Sequence, residues 1–128
     1  MSSHRMSSQR PALPKPVRGD VFSARLDPTE GSEQAGTRPI VVVSRDSINA
    51  NSPVVVVLPI TDAANVKRLY PSHTQLPKGS GGLKMDSVAK AEQIRAIQVS
   101  RFVSYFGRLD RDIMARIEEA IRITLALK

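Results

Sequence analysis

Apolar and polar residues follow one another along this chain in short runs of the kind that β-strands produce. Residues 21–26 alternate apolar and polar, as expected for a strand with one solvated face. Residues 39–43 and 53–60 are valine-rich runs, and their length and β-branching favour buried strands over helices. We predict weaker strands at residues 73–76 and 87–97.

Only one segment has a clear helical period. Residues 110–127 begin at Asp110, a suitable N-cap, and Asp112 lies where a carboxylate favours the helix dipole. We predict that its apolar stripe packs on the sheet, with a dimer contact as the alternative. The stripe consists of Ile113, Ile117, Ala120, Ile121 and either Thr124 or Leu125.

These elements predict a mainly β fold with one helix, a small, curled barrel of the SH3-like type. Residues 44–52, 62–71 and 77–82 are polar and are predicted to be turns or loops. We expect a disordered tail over residues 1–17 and a single domain over residues 18–128.

Pro59 lies inside the second valine-rich run. Because proline cannot donate to a strand ladder, it predicts a bulge or a strand end just before Thr61.

Composition restricts the chemistry of the protein. There is no cysteine, and the two histidines, His4 and His73, are far apart in sequence, so we expect neither a metal site nor a cofactor. No apolar run approaches the length needed to span a bilayer, and the N-terminus lacks the apolar core of a secretory signal. We therefore expect a soluble cytoplasmic protein without a membrane partner.

The chain is basic, with 19 lysines and arginines against 12 aspartates and glutamates and a formal charge of +7. Residues 18–109 carry twelve positive and eight negative side chains, whereas residues 110–128 carry four of each. A basic domain attracts polyanions, either nucleic acid or an acidic protein. The alternative is a basic surface that serves only solubility.

Two positions carry candidate chemistry. Arg38 follows a polar, glycine-containing loop and precedes Pro39 and an apolar strand, which fix its base. A guanidinium can donate hydrogen bonds to two phosphoryl oxygens at once. Alternatively, Arg38 could form an ion pair with Glu33 or Asp20. Thr61 follows an apolar run, where a threonine is also common as a turn or capping residue.

Several motifs, in order, resemble the MazF/PemK family of toxin endoribonucleases over residues 17–127. They are the loop at residues 31–39, the Pro59-Ile60-Thr61 step, Asp86-Ser87 followed by Glu92-Gln93-Ile94-Arg95, and the terminal helix. The resemblance implies a barrel of the CcdB/MazF type. It also implies cleavage of single-stranded RNA at selected sequences, without metal, to 2′,3′-cyclic phosphate and 5′-hydroxyl ends.

The same resemblance assigns roles to residues and partners. It implies that Arg38 and Thr61 are catalytic. Glu33 could either orient Arg38, which we favour, or act as a base. The resemblance further implies a homodimer with RNA in an interface groove, and a cognate antitoxin that blocks this groove. We expect RNA contacts from a set of short polar side chains and one carboxylate: Ser32, Gln34, Asn49, Ser52, Gln93 and Glu92.

One branch of the family uses an Arg-x-Asp pair and a loop histidine. This chain has Lys90 and Glu92 at the two positions of that pair and Ser32 at the position of the histidine. His73 lies in a different loop. The resemblance therefore favours the mechanism with Arg38 and Thr61, without a base or acid that titrates near pH 7.

Two other functions are compatible with the sequence. A CcdB-like poison would bind DNA gyrase without catalysis, but the C-terminal tryptophan of such chains is missing here. An inactive SH3-like binding module is the other alternative.

Overall fold

Seven antiparallel strands and two helices account for most of residues 12–26 and 36–128, the residues that the computed structural model describes. The strands form one curled sheet, and the longer helix closes the chain, so the predicted mainly β fold with a C-terminal helix is confirmed. The elements are β1 (Asp20–Arg25), β2 (Thr37–Val42), α1 (Asp46–Asn51), β3 (Val54–Asp62), β4 (His73–Leu76), β5 (Ser87–Lys90), β6 (Arg95–Gln98), β7 (Phe102–Arg108) and α2 (Arg111–Leu125).

The long strand β3 organises the sheet. The strand order is β4-β5-β3-β2-β1-β7, and β6 also pairs with β3. One edge of β3 pairs with β2, whereas the other pairs with β6 along Val54–Val57 and with β5 along Ile60–Asp62. Within the described residues no ladder joins β4 to β7, so the curled sheet does not close into a hydrogen-bonded barrel.

Pro59 lies within β3, at the point where the strand changes neighbours. Val43 donates its backbone N–H to Val56 O at 2.9 Å, so these two residues form a hydrogen-bonded pair of the ladder between β2 and β3. Hydrogen-bonded and non-hydrogen-bonded pairs alternate along an antiparallel ladder. Ile40–Pro59 lies three pairs further along and is therefore a non-hydrogen-bonded pair. The nitrogen of Pro59 therefore points away from β2, toward the edge that β5 and β6 share. The predicted strand end is wrong, because β3 continues to Asp62.

Strands β5 and β6 follow the same edge of β3 in the same direction, separated by an extruded turn. The sequence predicts one strand over residues 87–97, and the structure corrects this with a 3-10 turn at Ala91–Gln93. Ile60 pairs with Ala89, but Val57 pairs with Arg95, so three extra residues are looped out opposite the middle of β3. We call residues Ala91–Gln93 the bulge. It forms because β3 offers no donor at Pro59 and because the Ala91 N–H donates to Ser72 O at 2.9 Å.

The segment predicted to be a polar turn at residues 44–52 contains the short helix α1. Its serine, aspartate and asparagine residues favour turns in isolation, which is why the helix was missed. Contacts distant in sequence decide the outcome, since Asp46 Oδ1 accepts from the Arg18 N–H at 2.7 Å. That hydrogen bond, followed by one from the Asn49 amide, lowers the pKa of Asp46.

Two apolar clusters cover the two faces of the sheet. On one face α2 packs its stripe as predicted, and Ile117 is completely buried. We call this the helix-side cluster; it comprises Val21, Val41, Leu58, Ile60, Leu76, Leu83, Ala89, Ala91, Leu109, Ile113, Met114, Ile117 and Ala120. The opposite-face cluster comprises Phe22, Ala24, Leu26, Ile40, Val42, Val55, Val57, Ile97 and Phe102.

The N-terminal boundary of the domain stays a prediction. Residues 12–17 form neither helix nor strand, but Lys15 Nζ donates to Ala50 O at 3.0 Å and the Val17 N–H donates to Asp20 Oδ2 at 2.8 Å. Residues 1–11 lie outside the described residues. No helix within the described ranges is long and apolar enough to cross a membrane.

A glycine turn lies against β7, between the two ends of the sheet. Gly82 has φ +80°, and an added Cβ would overlap the carbonyl oxygen of Phe106. Gly79, in the same turn, has φ +95°, but its Cβ position meets nothing within 4 Å.

This pair of glycines separates the cost of backbone conformation from the cost of contact. In Gly79→Ala only the left-handed backbone conformation is unfavourable, and we expect it to lower the free energy of unfolding by about 1–2 kcal/mol. We expect Gly82→Ala to lose about 1–3 kcal/mol more in free energy of unfolding, because β7 must also shift. Urea unfolding at one fixed protein concentration measures the free energy of unfolding of both variants. An equal decrease in the two variants would show that a Cβ at Gly82 makes no steric clash with β7.

Candidate active site

Arg38 and Thr61 lie on one face of the sheet, just beyond the last rung between β2 and β3. That ladder ends at Ile40–Pro59, because Pro39 has no N–H for the next rung. Continuing the register by two residues places Arg38 opposite Thr61. Partners in an antiparallel register share a face, and here the face is that of Ile40 and the opposite-face cluster.

Each of the two residues is also held by a second strand. Arg38 pairs with Ala24 of β1, and Thr61 pairs with Val88 of β5. Their backbones are therefore fixed on both sides of the gap that Pro39 creates, which is the support that a precise site requires.

The Arg38 side chain is exposed and makes no ion pair or hydrogen bond to any other residue that the structure describes. Asp20, one of its two alternative partners from sequence, is only 1% exposed and is bonded to Arg108 Nε at 2.7 Å. This hydrogen bond raises the pKa of Arg108. Asp20 is therefore engaged elsewhere. The other alternative, Glu33, lies outside the described residues, as do Ser32 and Gln34.

The bulge carries Glu92 and Gln93, both exposed, beside a histidine that sequence reasoning had set aside. His73 Nε2 lies 3.0 Å from Glu92 Oε2, and the Tyr70 N–H donates to His73 Nδ1 at 3.2 Å. Because Nδ1 accepts, neutral His73 carries its proton on Nε2 and donates it to Glu92. No sequence signal identifies this pair, since the four-residue strand β4 gives no register of its own.

The surroundings of Glu92 act on its pKa in opposite directions. Burial alone would raise the pKa, but hydrogen bonds from Ser72, from its own backbone N–H and from His73 together lower it. Glu92 is therefore a carboxylate at neutral pH, able only to accept hydrogen bonds.

The register extends this face to β4. His73 pairs with Lys90, and Lys90 lies two residues from Val88, the partner of Thr61. Alternate residues of a strand share a face, so Lys90 and His73 lie on the face of Thr61. Lys90 thus adds a second cation to the face that carries Arg38 and Thr61.

Arg95 was not among the candidates from sequence, yet it lies on the same face, opposite Val57 of β3. Its Nη2 donates to Leu26 O at 2.9 Å, at the end of β1. This bond ties the far side of the bulge to the strand that precedes residues 27–35.

Asn49 and Ser52, which the sequence suggested as RNA contacts, lie in and after α1. Asn49 is 2% exposed, and its amide nitrogen donates to Ser44 O at 2.8 Å and Asp46 Oδ1 at 3.1 Å. Ser52 Oγ accepts from the Val54 N–H at 3.0 Å. Asn49 has the contacts of a structural residue, and we leave it out of the functional surface proposed below.

The described residues include no group of three or more histidine, cysteine or acidic side chains placed to hold a metal ion. The chemistry available on this face is that of guanidinium, ammonium, hydroxyl and carboxylate groups.

Comparisons with known proteins identify the family and the fold of this chain. A family model described as "PemK-like, MazF-like toxin of type II toxin-antitoxin system" matches residues 17–125. The chain is 41% identical over 110 residues to Endoribonuclease EndoA of Bacillus subtilis (strain 168), covering 86% of this chain and 94% of that protein. It is 40% identical over 110 residues to Endoribonuclease MazF of Staphylococcus epidermidis, covering 86% and 91%.

Solved structures share the fold. An endoribonuclease from Mycobacterial species, in complex with its cognate antitoxin, superposes with a TM-score of 0.73 at 21% identity. The match covers 88% of this chain and 97% of that one.

The lowered pKa of Glu92 predicts a pH dependence of stability. A carboxyl group whose pKa is lower in the folded than in the unfolded state stabilises the fold above the unfolded value, about 4.3, and this contribution is lost as pH falls through the folded pKa. We expect the free energy of unfolding to decline more steeply below about pH 5 in the wild type than in Glu92→Gln. Urea titrations from about pH 6 to pH 3 measure both slopes, and all other acids cancel in the comparison. Parallel slopes would contradict the lowered pKa.

Proposed function

Since the chain belongs to the PemK-like, MazF-like family of toxins of type II toxin–antitoxin systems, we propose that it is an endoribonuclease toxin acting on cytoplasmic single-stranded RNA. The resemblance noted from the sequence is confirmed by the family match and by relatives at 41% and 40% identity that are named endoribonucleases. The observation that carries the proposal at the level of residues is the shared position of Arg38 and Thr61 beyond the last β2–β3 rung.

The proposed reaction is a metal-independent transesterification. The ribose 2′-oxygen bonds to the adjacent phosphorus, the bond from phosphorus to the 5′-oxygen breaks, and the 2′-hydroxyl proton is lost while the 5′-oxygen gains one. The products are a 2′,3′-cyclic phosphate and a 5′-hydroxyl. Negative charge grows on the non-bridging oxygens, where a preorganised guanidinium stabilises it most.

Arg38 suits that role because its side chain is exposed and engages none of the described residues. Its planar fork can donate to two phosphoryl oxygens at once. Thr61 would donate its hydroxyl to the same phosphate and orient the 2′-hydroxyl. Glu33 is proposed to orient Arg38 or to take the 2′ proton.

The wider face supplies the remaining RNA contacts. Lys90 adds a cation next to the scissile phosphate, and Glu92 and Gln93 protrude on the bulge beside it. Exposed polar groups of this kind read splayed bases of single strands. Ser32, Gln34 and Ser52 remain proposed contacts.

We also propose two protein partners. An acidic antitoxin fits the formal charge of +7, and the structural neighbour from Mycobacterial species is held with its cognate antitoxin. A homodimer is supported by the apolar side chains exposed at the end of the chain: Ile123, Leu125 and Leu127 are each about half exposed (51%, 47% and 57%).

The test is cleavage of a long, mixed-sequence RNA in EDTA, with the ends of the products mapped. We expect Arg38→Ala to lower kcat by about 10²-fold or more, since it removes the main charge stabilisation. Arg38→Lys should also be impaired, because an ammonium group cannot form the bidentate contact. Thr61→Ala should lose activity, whereas Thr61→Ser keeps the hydroxyl and should retain most of it.

Arg111→Ala is the matched control, because it removes an exposed arginine at the start of α2, away from this face. Equal rates for Arg38→Ala and Arg111→Ala would remove Arg38 from the mechanism. If the folded wild type cleaves no RNA, the endoribonuclease proposal fails, and a pull-down with DNA gyrase becomes the next measurement.

A further inference from the structure

We propose that Tyr70 and Arg68 form a shelf on which one nucleobase of the RNA stacks, and that Glu92 accepts a hydrogen bond from the amino group of that base. The shelf is defined as the side chains of Tyr70 and Arg68. This inference rests on the proposed function and names a specificity subsite within it.

The shelf is exposed, and its two side chains lie together. Tyr70 is 52% exposed, and the Arg68 guanidinium carbon lies 5.6 Å from the centre of its ring. Among the described residues, neither side chain makes a hydrogen bond or an ion pair. Exposed aromatic rings and guanidinium planes are the groups on which bases of single-stranded RNA stack.

The shelf is tied to Glu92 through one buried ring. The side chain of His73 is only 5% exposed, and its ring meets the Tyr70 ring edge to face, with centroids 5.5 Å apart and planes at 81°. Its two nitrogens bond the Tyr70 N–H and the Glu92 carboxylate. His73 therefore sets the position of the stacking ring relative to the acceptor, which lowers the entropic cost of binding a base between them.

The subsite lies close to the proposed reaction centre. His73 is the partner of Lys90 on β5, and β5 is the neighbour of β3, which carries Thr61. Two strand spacings separate β4 from β3, about 10 Å. We infer that the shelf receives a base near the cleaved phosphate.

The carboxylate decides which bases fit. Glu92 can only accept, so it favours a base whose edge presents an amino group, namely adenine, cytosine or guanine. Uracil presents a single N–H flanked by carbonyl oxygens, which the carboxylate repels. The subsite thus predicts a preference for an amino-bearing base at one position of the cleavage sequence.

The experiment couples protein variants to single lesions in the RNA. Wild-type protein first cleaves a mixed-sequence transcript, and the cut site is mapped. Oligonucleotides that span this site are then made with one abasic nucleotide at each position in turn. KM and kcat are measured for wild type, Tyr70→Ala and Tyr70→Phe.

Stacking of one base contributes about 1–3 kcal/mol. We therefore expect Tyr70→Ala to raise KM by about 5- to 150-fold with a smaller change in kcat. Tyr70→Phe keeps the ring and should recover most of this loss. An abasic nucleotide at one position should raise the KM of wild type by a similar factor. The same lesion should leave the KM of Tyr70→Ala unchanged, because this variant has already lost the ring on which that base stacks.

Two further variants test the other members of the subsite. Arg68→Gln should raise KM, whereas Arg111→Gln, which removes the same charge from α2, should not. Glu92→Gln should accept uracil at the position identified by the abasic series, because an amide both donates and accepts.

The possible failures are distinguishable. If wild type cuts RNA but Tyr70→Ala has the wild-type KM, or if every abasic position weakens both proteins equally, the shelf is refuted and the endoribonuclease proposal stands. If wild type cuts no RNA, both proposals fail.

Discussion

Two missing backbone donors shape the face that carries the proposed site. Pro39 ends the ladder between β2 and β3, and Pro59 breaks the ladder on the other edge of β3. The first gap leaves Arg38 and Thr61 beyond the last rung, and the second leaves room for the bulge that carries Glu92 and Gln93. With complete ladders, hydrogen bonds between β2 and β3 would continue past Ile40 and Pro59, and the three residues of the bulge would lie within a regular strand, so the two prolines shape the candidate site.

Strands and helices could be predicted from the sequence where the local hydrophobic periodicity was strong. The alternating and valine-rich runs largely coincide with β1, β2 and β3, and the stripe of α2 packs on the sheet as its spacing indicated. The weaker strand β4 also has its predicted bounds. The helix α1 and the bulge were missed because each depends on a hydrogen bond to a residue distant in sequence. In α1, Asp46 accepts from the Arg18 N–H, and in the bulge the Ala91 N–H donates to Ser72 O. Local propensity contains no information about such partners.

The arrangement of the candidate site could be predicted from the sequence only in part, and for a similar reason. Arg38 and Thr61 were singled out by motif, but their common face follows only from the registers of β2 and β3. His73 was set aside because it lies in another loop along the chain. Pairing of β4 with β5 brings it to Glu92, and no pattern in the sequence could specify that pairing.

The gap between the sheet ends has a consequence for how the site is held. Among the described residues β4 and β7 share no ladder, and the glycine turn at residues 79–82 lies between them, with Gly82 against the backbone of Phe106. At this seam packing of side chains and of the turn, not strand pairing, holds the two ends of the sheet together. Among the described residues β2 and β3, which carry Arg38 and Thr61, pair on both sides, whereas β4 is held by one ladder and by the contacts of His73. The same fold thus places the proposed catalytic pair on strands that are paired on both sides and the proposed base subsite beside an edge strand.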